Sequence, residues 1–237
     1  ERFYVILRDL IVSPRFEEGD FLRNRDFLSN AIVSLRGNDD EELGKQALNT
    51  LLYDGHPYEA TEMGTERGLA SISLEDVRLF HQQQYTRNSI RVGVAGGYPD
   101  EFLARVEDDL INALPLGRES DGGGELLAPR TVDGLELLLI EKDAIATAIS
   151  IGFPISVTRS DDDFYPLMVA NSYFGEHRTF NGRLMNQMRG LRGLNYGDYS
   201  YIENFIQDGG STFPLPNTPR RQQFFSVWIR PVPHHNA

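Results

Sequence analysis

A chain of 237 residues with 35 Asp and Glu against 23 Lys and Arg carries a formal charge of −12, which opposes a phosphate-binding surface, since nucleic-acid binders concentrate Lys and Arg on one face. No cysteine is present, so disulfides and thiolate metal sites are excluded, and a zinc site would need His and carboxylates. No apolar run approaches the roughly 20 residues that span a bilayer, and the length exceeds one average domain, enough for two modest cores.

Arg2 to Val12 and Phe16 to Leu35 carry apolar residues at helical spacing, and Asp39 to Leu52 opens with acidic residues suited to a helix N-terminus. Ser73 with Asp76 is close to a capping box, and Leu74, Val77, Phe80 and His81 then share one face, which predicts a helix to about Tyr85. Ser89 to Ala95 reads as a short buried strand ended by Gly96 and Gly97. Pro99 to Leu114 returns to helical spacing with Phe102, Val106, Leu110 and Ile111.

Gly122 to Gly124 and Pro129 then give linker composition, so a boundary is expected over residues 117–131, dividing 1–116 from 132–237. Beyond it, Leu135 to Glu141 and Ala144 to Phe153 predict a hairpin turning at Lys142 and Asp143. Asp161, Asp162 and Asp163 read as helix-start residues ahead of Leu167 to Phe174 rather than as metal ligands. A helix over Phe180 to Met188 and strands over Asn195 to Phe205 and Gln223 to Ile229 come next, the last two separated by a long Gly-, Pro- and Thr-rich loop. The class is α+β.

Two stretches carry a resemblance. In Phe174 to Ser200, a helix runs into Arg-Gly-Leu-Arg-Gly and restarts at Asn195 to Tyr201, setting Arg189 and Tyr196 seven residues apart around a Gly-rich turn. Upstream stand His56-Pro57-Tyr58, Met63-Gly64-Thr65, a helix ending near Tyr85, and the strand-like run after it. The order and content resemble the insulinase/pitrilysin-type zinc metallopeptidases, the inverzincins. That resemblance implies two insulinase-type α/β domains, helices packed on mostly antiparallel sheets, each incomplete here: the later part of one and the early part of the next. It also implies that Arg189 and Tyr196 bind substrate peptide opposite a zinc ion. On the residues alone, Arg189 as a contact to a helix C-terminus and Tyr196 as ordinary strand filling stay open.

Inverzincin chemistry needs H-x-x-E-H on a helix, two imidazoles for zinc and a Glu to activate water, with a distal Glu as third protein ligand. None of the five histidines forms that motif, which is expected upstream of Glu1 if it exists. Aligning Asn24 to Ile32 with the family's distal-ligand segment puts Ala31 at the ligand position and Asn24 at that of an acidic supporting residue. Ala31 has no donor atom, and no Glu lies between Glu18 and Glu41 to replace it. The chain therefore reads as a piece of the non-catalytic member of a two-part peptidase. No metal or catalytic residue is expected in it, and zinc is expected in a catalytic partner.

The resemblance implies as partners a peptide substrate and a zinc-bearing insulinase-type subunit or domain, in a hetero- or homodimer, with no nucleic acid and no membrane span. It favours an exported, periplasmic setting. Three alternatives stand beside this reading: a fragment of a catalytic zinc peptidase, a non-proteolytic assembly homologue, and a peptide-binding module without hydrolysis.

Overall fold

Asp39 ends one helix and starts the next. Its backbone N–H closes α2 (Glu18–Asn38) on the Leu35 carbonyl at 3.1 Å, and its carboxylate accepts the Glu42 N–H at 2.9 Å as the cap of α3 (Asp40–Leu52). The computed structural model describes residues 2–117, 127–177, 179–205 and 218–233. The middle of the expected linker, most of the expected loop after Phe205, and His234 with His235 lie outside the described residues.

Contacts divide the chain into two compact units, Glu1–Asn30 with Thr65–Glu125 and Ala31–Gly64 with Leu126–Ala237. The first holds α1 (Arg2–Val12), the short α4 (Glu66–Ser71), α5 (Leu74–Gln84) and α6 (Glu101–Val106), which continues into a π-turn at Glu107–Ile111. Its core joins Tyr4 of α1 to Val106 and Leu110, with Ile11, Val12 and Phe102 packed around them. The expected capping box opens α5: the Ser73 N–H donates to Asp76 at 2.8 Å and Asp76 N–H to Ser73 Oγ at 3.2 Å.

In the second unit, α3 lies on a three-stranded antiparallel sheet of β1 (Ala146–Ile155), β2 (Asp198–Tyr201) and β3 (Gln223–Pro233), in the order β1-β3-β2. Leu48, Leu52, Tyr53 and Phe224 form the seam between helix and sheet, with Tyr58 and Val132 against it. Leu52 is 2% exposed, and full burial of such a side chain contributes about 1.5–3 kcal/mol. Close approach depends on Gly152: a Cβ there would stand 2.7 Å from the Phe225 carbonyl oxygen and 3.1 Å from Leu48 Cδ2. A second cluster, Met185, Tyr199, Tyr201 and Trp228 with Phe205, packs α8 (Arg183–Met185) on β2, and α7 (Phe164–Phe174) lies beside both.

Three expected elements differ. Leu135 to Glu141 forms no strand, and Leu135 and Leu139 are 96% and 79% exposed. Lys142, the expected hairpin turn, is held elsewhere: its Nζ donates to the Arg36 and Gly37 carbonyls at 2.8 and 2.9 Å and pairs with Asp40 at 2.6 Å. A cation on the last carbonyls of α2 satisfies that helix end, and β1 pairs with β3 instead. Ser89 to Ala95 also forms no strand. Its polar groups go into a local turn, where Ser89 Oγ bonds the Thr86 carbonyl and Arg91 Nη1 bonds the Ile90 carbonyl at 2.8 Å. The helix expected from Phe180 begins only at Arg183, because Thr179 to Gly182 closes a turn, and from Asn186 it widens into a π-turn ending at Gly190.

Candidate functional site

The π-turn Asn186–Gly190 places Arg189 on its last turn, and such widened turns re-aim side chains that a regular helix would stack along one face. Gly193, at φ +62°, then reverses the chain, its N–H donating to the Arg189 carbonyl at 3.0 Å. An L side chain is disfavoured in that left-handed conformation, which explains glycine there. The chain next passes Asn195 and Tyr196 and enters β2 at Asp198.

The two residues singled out in the sequence come together. The Arg189 guanidinium carbon lies 4.1 Å from the centroid of the Tyr196 ring and 5.8 Å from that of Phe180. Tyr196 is 66% exposed and Phe180 is exposed as well. Among the described residues, Arg189 makes no ion pair and the Tyr196 hydroxyl no hydrogen bond. A planar cation with five N–H donors, oriented by aromatic faces and left without an anion, is suited to carbonyl or carboxylate oxygens of a docked chain.

Sequence patterns do not reveal what holds this pair. Asn195 Nδ2 donates to Asp198 Oδ1 at 2.7 Å and to the Arg230 carbonyl at 3.2 Å, tying the turn to β3. Asp198 is fully buried, with its Oδ2 unpartnered among the described residues. Burial raises its pKa above the ordinary carboxylate value, against the opposing effects of Asn195, the Arg230 backbone and the Arg230 charge. Arg230 Nε in turn donates to Glu41 at 2.8 Å, and Lys45 reaches Glu41 at 2.8 Å. Burial alone would raise Glu41, but these two cations hold its carboxyl below the usual range. The Asn-x-x-Asp spacing at 195–198 was the available signal; a buried Asp at a strand start has no apolar period to reveal it.

The described histidines are occupied separately. His56 Nδ1 accepts the Tyr58 N–H at 2.9 Å as a turn cap, His81 Nε2–H donates to the Ile11 carbonyl at 2.8 Å, and His177 Nδ1 shares a hydrogen bond with the Tyr201 hydroxyl at 2.6 Å. Ala31 sits inside α2 with no donor to offer. Among the described residues, no three His, Asp or Glu side chains gather as metal ligands would, so these residues do not fit a zinc ion. No helix among them is long and apolar enough to cross a membrane.

Residues 71–223 match the family model described as the peptidase M16 inactive domain. The chain belongs to the peptidase M16 family. An uncharacterized zinc protease of Mycobacterium leprae is 27% identical over 205 residues, covering 86% of this chain and 45% of the relative. A mitochondrial-processing peptidase subunit beta of Lentinula edodes is 25% identical over 179 residues, covering 72% and 36%. Among solved structures, the peptidase M16 inactive domain from Pseudomonas fluorescens superposes with a TM-score of 0.75 at 21% identity, over 95% of this chain and 50% of that one. The fold is therefore that of M16 proteins, and the chain spans about half the length of the curated relatives it matches, or less.

Proposed function

We propose that this chain is the zinc-free, substrate-holding part of an M16 peptidase, closing a cleft against a zinc-bearing subunit or domain in a hetero- or homodimer during peptide hydrolysis. The observation that carries this reading is the stacked Arg189–Tyr196 pair, with Tyr196 exposed, Arg189 half-buried and their hydrogen-bonding groups unmatched among the described residues, inside the segment matched by the inactive-domain model. Ala31 and the separately engaged histidines support a supporting role over a catalytic one. Zinc then belongs to the partner, residues 1–116 are the later part of one insulinase-type domain and residues 132–237 the early part of the next, and the setting is exported, periplasmic in a bacterium.

A second reading has one observation in its favour. The Mycobacterium leprae relative is called a zinc protease and extends well beyond the matched region, so this chain would be the non-zinc portion of one catalytic polypeptide. The full-length reading frame distinguishes the two, since H-x-x-E-H before Glu1 selects the second.

Arg189→Ala and Tyr196→Phe, made in the full-length protein with its zinc-bearing partner, test the substrate role. Each lost charge-assisted or phenolic hydrogen bond removes about 1–3 kcal/mol from transition-state binding, roughly five- to a hundredfold in kcat/KM. Melting temperatures should stay close to the parent's, because the exposed Tyr196 hydroxyl contributes within about 0.5 kcal/mol and half-buried Arg189, with no ion pair among the described residues, gives up stacking contacts of about 0.5–1 kcal/mol. Stable variants with full activity would end the substrate assignment.

A further inference from the structure

A cleft of about 320 Å³ opens in the α3–sheet unit between α3, the loop at Ala60 to Met63 and the ends of β2 and β3. Leu48, Met63, Phe205, Phe224 and Trp228 give it an apolar and largely aromatic lining. Neither Arg189 nor Tyr196 lines it, so a ligand in this cleft is independent of the substrate role of that pair.

Two cations line the cleft, and they differ in how they are matched. Lys45 Nζ lies 3.5 Å from the Trp228 ring centroid and is paired with Glu41 at 2.8 Å and Glu42 at 3.5 Å. Its charge is compensated within α3. Arg220 lies 4.8 Å from the Tyr58 ring centroid, and its one hydrogen bond among the described residues, from Nη1 to Asn49 Oδ1, is long at 3.5 Å. No carboxylate of a described residue stands within ion-pair distance of it. Burial pulls its pKa below the ordinary guanidinium value, opposed by Tyr53, Tyr58 and the more distant Glu62.

A guanidinium that has lost hydration without gaining a counter-ion costs free energy, and an anion bound beside it recovers that cost. Its planar fork matches the two oxygens of a carboxylate. The acidic residues Glu42 and Glu62 on the lining disfavour a dianion such as a phosphate monoester, while one negative charge balances Arg220. The volume lies at the lower end for small-molecule sites, which begin at about 300 Å³. That fits a group the size of one acylated amino acid.

We propose that this cleft binds a small apolar carboxylate, its charged group on Arg220 and its hydrocarbon or aromatic body against Phe205, Phe224 and Trp228. Such a group is presented equally by a free aromatic acid and by the C-terminal residue of a peptide.

Trp228 is the sole tryptophan of the chain, so its fluorescence reports on the lining directly. The 237-residue protein is titrated with N-acetyl-L-phenylalanine, with the corresponding amide, and with a tetrapeptide ending in Phe in free-acid and amidated forms. The acid should give a saturable change, with the amide bound about tenfold or more weakly. Arg220→Gln should lose about tenfold for the acid and nothing for the amide, with an unchanged melting temperature. Equal binding of acid and amide, no saturable change at millimolar acid, or unchanged acid binding by a folded Arg220→Gln each refute the site. Should that variant not fold, the acid–amide comparison on the parent chain still decides. Tetrapeptide binding that matches the small acid identifies a peptide C-terminus as occupant. Binding of the small acid alone supports the site and identifies free acids.

Discussion

Asn195 and Asp198 are joined by a 2.7 Å hydrogen bond across the turn that delivers Tyr196 to the surface, and the same Asn195 amide also bonds the Arg230 carbonyl of the central strand. The carboxylate so held is fully buried and its pKa is raised, first by burial and also by Glu41, with Asn195 and Arg230 opposing. A raised folded-state value means that its contribution to stability is complete below the unfolded value of 3.8 and is lost as pH rises through the folded value. Asp198→Asn removes that titration. The melting temperature of the variant, minus that of the parent, should therefore climb as pH increases from below 3.8 toward neutrality. A difference that stays flat in scanning calorimetry across this range contradicts the assignment.

Gly152→Ala tests the seating of α3 on the sheet. The new methyl would lie 2.7 Å from a backbone oxygen of β3, which cannot move without disturbing the ladder, and 3.1 Å from Leu48. Overpacking of this kind costs about 1–3 kcal/mol. Urea denaturation should show a lower midpoint with little change in slope.

Much of this architecture could be read in the sequence because local rules act locally. The helix starts at Asp39 and Ser73 follow from side chains that cap their own backbones, and β3 follows from an apolar run of the right length. What escaped falls into two kinds: the Ser89 and Thr179 regions close local turns that their residue types do not announce, and the Lys142 and Leu135 regions depend on distant partners. Lys142 reads as a turn residue until the last carbonyls of α2 are available to receive it. The run at Leu135 to Ile140 is as apolar as any strand, but strand formation needs a ladder partner, and β1 pairs with β3. For the candidate site, the spacing of Arg189 and Tyr196 was visible, whereas the π-turn that brings guanidinium to ring was not, because residue type carries almost no signal for it.

Glu203 is buried and bound by Arg159 through two parallel hydrogen bonds at 2.8 and 3.0 Å. Arg159→Ala leaves that carboxylate enclosed without its cation. The expected loss is about 1–3 kcal/mol, toward the lower end because the Arg159 side chain is 43% exposed and water replaces part of the interaction. Equilibrium unfolding at neutral pH measures it.

Zinc analysis gives a direct test of the supporting role. After dialysis against metal-free buffer, the chain should retain no stoichiometric zinc, since Ala31 offers no ligand and His56, His81 and His177 are each engaged elsewhere. One equivalent held tightly by these residues would require a different assignment of the subunit.

The strand order has a bearing on how the molecule comes into being. Both β1 and β2 pair only with β3 among the described strands, and β3 is the last of these three to emerge during synthesis. Until residue 223 and those after it leave the ribosome, β1 lacks its ladder partner among the described strands, and the ladder closes over a span of roughly 70 residues. Long-range closure slows folding, and the waiting segments are exposed to association with other chains. Truncation before β3 should therefore yield aggregated rather than partly folded protein, and chaperone dependence should concentrate in the interval of translation between β1 and β3.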